Sequence, residues 1–104
     1  MRLDMIKNAL LSVSENVFHF HAPPNQNPDY IVWAEDGIRN FQANNKQNET
    51  TITGTIDLFT KNQNSSLVNS ISEELNKIPA AWYLNSIQRE PETGLLHYEW
   101  VFEV

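Results

Sequence analysis

The chain has 104 residues, 13 acidic side chains against 7 basic ones for a formal net charge of −6, and no cysteine. That length holds one domain around one core, and the missing thiols exclude a disulfide framework, a thiolate metal site and a cysteine nucleophile. The acidic balance, with its bases scattered along the chain, argues against a nucleic-acid surface, because phosphate binding needs clustered lysine and arginine.

At 40% hydrophobic and 11% aromatic residues the composition is too apolar for a disordered chain and too interrupted for a membrane protein. No apolar run approaches the roughly 20 residues of a membrane span. The opening segment MRLDMIKNALLSVSEN has neither the apolar block nor the cleavage site of a signal peptide, so a cytoplasmic location is expected.

Leu3, Ile6, Leu10 and Val13 recur at steps of three and four, which predicts an amphipathic helix from Arg2 to about Glu15. The period then changes to two at VFHFH, Val17 to His21, with Phe18 and Phe20 on one face and Val17, His19 and His21 on the other. APPNQNPD follows and reads as an exposed loop, since its prolines lack donors and its asparagines favour turns. YIVWAE, Tyr30 to Glu35, is apolar on both faces, as an inner or interfacial strand would be. Asp36-Gly37 is a good turn dipeptide, which predicts that IRNFQA returns as a short strand.

NNKQNE, Asn44 to Glu49, has no apolar residue and predicts a mobile tip. TTITGTIDLFTK is the longest strand signal, with Ile52, Gly54, Ile56 and Leu58 inward and the threonines and Asp57 outward. Gly54 in the inner row marks a bulge or a close approach. A second helix, Ser66 to Ile78, is predicted from the stripe Leu67, Val68, Ile71, Leu75 and Ile78, and it stops before Pro79. AAWYLNSIQRE and LLHYEWVFEV close the chain as a hairpin through PETG, with Leu96, Tyr98, Trp100, Phe102 and Val104 on one face. The expected fold is therefore α+β in the order α-β-β-β-α-β-β, an antiparallel sheet of four to five strands with both helices packed on one face.

No residue set carries a catalytic signature. His19 and His21 form a His-x-His pair that His97 and Glu99 would have to complete into a metal site, and rim histidines on a strand are more often solvated. Glu35 with Asp36, or Glu99 with Glu103, beside Trp33, Trp82 and Trp100 would suit a small ligand-binding or hydrolytic domain. The neighbours Glu35 and Asp36 diverge along a strand, however, and the tryptophans occupy positions a sheet core would fill anyway. The three glycines are too far apart for a phosphate loop, and no cofactor is implied. Val101, Ile87 and Phe59 stand at outward positions, which favours contact with other protein chains.

Taken together, the N-terminal helix, the strand PDYIVWAEDG after a Pro-rich loop, TITGTIDLFTK, the helix SSLVNSISEELNKI and the closing GLLHYEWVFEV resemble the tail-completion or tail-terminator proteins of long-tailed bacteriophages and prophages. The resemblance spans almost the whole chain and rests on strand patterns. It implies a non-enzymatic subunit that forms a ring, typically a hexamer, stops tail-tube polymerisation and docks to the head connector. The expected partners are further copies of itself, the tail tube protein and head-tail connector proteins, with no membrane and no specific nucleic-acid binding as DNA passes through the ring. A head-closure or connector-adaptor role in the same neck is the nearest alternative. The family supplies no residue motif for a site. Trp33, Glu35, Asp36, Arg39 and Phe41, which flank the acidic turn, are the candidate subunit contacts read from this sequence.

Overall fold

A computed structural model of the chain describes residues 2–43 and 46–104, with the side chains at 40–49 outside the description. The elements are α1 (Arg2–Leu11), β1 (Val17–His19), β2 (Tyr30–Ala43), β3 (Lys46–Thr60), α2 (Ser66–Asn76), β4 (Ala81–Arg89) and β5 (Leu96–Glu103). The order is the expected one and the class is α+β. One sheet runs β1-β2-β3-β5-β4, and its core face carries both helices.

The core is the meeting of two helical stripes with one pleat face. Leu3, Ile6 and Leu10 from α1 and Ile71 and Leu75 from α2 are buried against Ile31, Trp33, Ile56, Leu58, Tyr98, Trp100 and Phe102. Burial of such side chains is worth about 1.5–3 kcal/mol each, so this cluster is the main favourable term in folding. The polar tips of the buried aromatics are satisfied by α2 and the loop before it: Trp100 Nε1 donates to Ser72 Oγ at 3.2 Å, and Tyr98 Oη to the Gln63 carbonyl at 2.9 Å. Trp82 Nε1 reaches Asn76 Oδ1 at 3.1 Å, so α2 is tied to the sheet at two levels and the loop before it at a third. Ser65 caps α2 by accepting from the Leu67 amide.

Gly54 explains how closely the strands and Phe102 meet. A Cβ there would lie 2.4 Å from both the Ala34 carbonyl oxygen and the Phe102 ring, so only glycine fits.

Four expectations are corrected. First, the sheet is mixed, because β1 pairs with β2 in parallel, Val17 opposite Ile31 and His19 opposite Trp33. Residues 20–29 are long enough to carry the chain back to its starting end, which a tight hairpin would not do. Second, Asp36-Gly37 is a bulge inside one continuous strand and not a turn. Both halves of β2 pair with the same uninterrupted β3, Glu35 opposite Gly54 and Gly37 opposite Thr53, with Asp36 the extra residue. Gly37 lacks the positive φ of a tight hairpin turn, and its missing Cβ leaves room for the Thr53 hydroxyl, which donates to Asp36 Oδ1 at 2.8 Å.

Third, residues 46–49 of the expected tip belong to β3, whereas Asn44 and Asn45 lie outside the described residues. Fourth, α1 ends at Leu11 and not near Glu15. Ser12 Oγ turns back to donate to the Ala9 carbonyl at 2.6 Å, and the Ser-Val-Ser run that follows favours leaving the helix.

A second bulge lies between Leu84 and Ser86 in β4. It reverses the face of everything after it. Ile87 pairs with Tyr98 on the helix face, whereas strict alternation from the sequence put it on the opposite one.

The molecule is elongated, 51 × 26 × 22 Å. β5 pairs with β3 only from Thr53 onward and meets Ile52 through Val104, so the rest of the β2–β3 hairpin continues as a two-stranded arm beyond the sheet. At its base Arg39 pairs with Glu103, and Arg2 donates to the Thr50 carbonyl.

Candidate functional site

The five residues expected around an acidic turn divide between the two faces of the sheet. Trp33 is 5% exposed and belongs to the helix-side core, so it is not available for a contact between subunits. Glu35 is on that same face, at the edge where β1 adds to the sheet. Its Oε1 meets His19 Nε2 at 2.6 Å, and this hydrogen bond holds the Glu35 carboxyl below the usual carboxylate range. The His19 ring is stacked between Phe20 at 4.3 Å and Trp33 at 4.0 Å. Asp36 and Arg39 sit on the open face, where Asp36 is fixed by Thr53 and Arg39 by Glu103. The Phe41 side chain lies outside the described residues. The bulge at Asp36 therefore separates what alternation alone would have joined.

The histidines divide as well. Phe20 has φ +73°, in the left-handed region, and there the chain leaves the strand. His19 stays on the helix face, whereas His21 turns to the open face and lines the same groove as His97. Among the described residues no three His, Asp or Glu side chains are grouped to hold a metal ion.

That groove is a concavity of the open face with a volume of about 680 Å³. Residues 20–26 form one wall, Thr93 and Leu95 the other, and the floor is built from two neighbouring rows of the sheet. The first row is aromatic. Tyr30, Phe59 and His97 are successive partners across β2, β3 and β5, with ring centroids 4.8 and 4.4 Å apart, and Phe18 meets Tyr30 edge-on at 6.5 Å. The second row is Val32, Asp57 and Glu99, so two carboxylates stand directly opposite each other on β3 and β5.

Like charges in that position repel, and each is relieved by a different neighbour. His97 Nε2 lies 2.6 Å from Asp57 Oδ1, and Asn85 Nδ2 donates to Glu99 Oε1 at 2.8 Å. The Asp57 hydrogen bond raises the pKa of His97 above the ordinary value. Burial opposes the shift, and the charges of Asp57, Glu90 and Glu99 add to it. Partial burial, with Glu90 second, raises the Tyr30 hydroxyl. The sequence reading missed this groove. Its signal was present in the outward positions of the long strand, where Asp57 and Phe59 interrupt a row of threonines, but only the register brings His97 and Glu99 beside them.

The tryptophans do not join these carboxylates. Trp100 is fully buried and Trp33 nearly so under the helices, and the groove contains no tryptophan. Among the described residues, exposed large apolar side chains include Phe20 at the groove wall, Leu11 at the end of α1, Ile38, 67% exposed, on the arm, and three on the edge strand β4, Tyr83 toward the open face and Leu84 and Ile87 toward the helix face. Among the described residues no helix is long and apolar enough to cross a membrane. In comparisons with known proteins, no family model and no curated protein matches this chain.

Proposed function

We propose that the chain is a non-enzymatic structural subunit of a phage or prophage tail or neck, which assembles as a ring that ends the tail tube and joins it to the head connector. The observation that carries the reading is the presence of exposed apolar side chains on two unlike strand edges. One is the outer edge strand β4, with Tyr83, Leu84 and Ile87; the other is the arm, with Ile38, on the side of the sheet where β2 is an edge beyond the three residues paired to β1. A head-to-tail ring needs two different patches that fit each other, and an unpaired edge strand is a ready template for one of them.

The charge supports the same reading, since a lumen lined by an acidic subunit passes DNA without holding it. Arg39 and Asp36 remain the contact candidates from the acidic bulge, now beside Ile38. Assembly takes place in the bacterial cytoplasm, the partners are further copies, the tail tube and the connector, and the ring is a hexamer as in the resembled family. A head-closure role in the same neck uses the same surfaces.

The test is electron microscopy of tail tube protein polymerising with and without this chain. Capped tubes of limited length, ending in a ring, are the expected result. Tubes that grow on uncapped at saturating amounts of the chain would contradict it.

A further inference from the structure

The open-face groove has no part in the ring contacts proposed above, and its chemistry is specific. We propose that it is a docking site for an extended segment of a partner protein that presents an arginine or lysine side chain.

Three features define the occupant. The groove is lined by the carboxylates of Asp57 and Glu99 and, among the described residues, by no lysine or arginine. The two acids are direct cross-strand partners, held by His97 and Asn85, so a cation placed between them would meet two carboxylates at once. Beside them the aromatic row and Val32 offer apolar surface. A long basic side chain matches both rows at once, with its methylene stem along the rings and its charged head at the acids. The volume of about 680 Å³ is in the range of ligand sites and exceeds what a single amine fills. The two walls, residues 20–26 and the β4–β5 turn, leave space for the backbone on either side of that side chain.

The inference is independent of the ring, because the groove is complete within one chain. It is tested by nuclear magnetic resonance titration of the isotopically labelled protein with blocked Ala-Arg-Ala, the same peptide with citrulline for arginine, and agmatine as a free amine. Saturable shifts at Phe59, His97 and Thr93 with the arginine peptide are expected, with affinity at least about tenfold weaker for the neutral citrulline peptide. The variant Glu99→Gln, checked for an unchanged melting curve, should bind the arginine peptide about fivefold more weakly. Equal binding of citrulline and arginine peptides, indifference to Glu99→Gln, tighter binding of agmatine than of the peptide, or no saturable shift in the folded protein would each overturn the proposal. A chain that forms rings yet ignores the peptide refutes the groove alone, and one that binds the peptide yet stays monomeric refutes the ring alone.

Discussion

Gly54 and His97 show how much single positions decide here. Alanine at Gly54 forces a methyl group onto the Ala34 carbonyl and the Phe102 ring, and since one of the two is backbone it cannot swing aside. A Gly54→Ala variant is expected to lose about 3 kcal/mol of stability or more, measured by denaturant unfolding. His97 is held partly out of water between Phe59, Asp57 and the charges of Glu90 and Glu99. Because its folded pKa lies above the unfolded value, the stability it contributes is fully present below about pH 6.5 and is lost as pH rises through the folded pKa. Asp57→Asn removes the main cause of the shift. The His97 titration midpoint, read by carbon-proton resonance, should fall in that variant. The stability gap to the parent should be wider near about pH 5.5 than near about pH 8.5.

At the scale of elements, the second helix is held by a local cap as well as by the packing of its buried stripe. Ser65→Ala leaves the Leu67 amide without its side-chain acceptor and is expected to cost about 1 kcal/mol, visible as a lower melting temperature with no change in the core. Both helices and most of β3 and β5 were legible in the sequence, because a stripe at steps of three and four, or strict alternation, is imposed by burial on one side. The bulges were not. Asp36-Gly37 has the residues of a tight turn, and only the long partner strand, pairing with both halves of β2, decides that the chain goes straight on. In β4 the bulge after Leu84 moves Ile87 to the helix face, and nothing in Asn85 or Ser86 announces it. The same limit hid the groove, since Asp57 and Glu99 are 42 positions apart and meet only through register. Trp33, a candidate contact on a strand read as inner or interfacial, lies in the helix-side core: β1 adds in parallel beside it and it is 5% exposed.

For the whole molecule, the two helices cover one face of the sheet and leave three features uncovered: the arm, the β4 edge and the open face with its groove. A monomer that had only to remain in solution would gain nothing from Leu84, Ile87 and Tyr83 on an unpaired edge strand. The self-association proposed above would account for them, and charge introduced there should then abolish it. The most direct measurement is the mass of the purified chain by light scattering after size separation, across a concentration series, for the parent and for Ile87→Glu. A discrete ring, a whole multiple of 12.0 kDa, is expected for the parent, alone or once tail tube is added, and a folded monomer for the variant. A parent chain that stays at 12.0 kDa at every concentration and ignores the tube would contradict it.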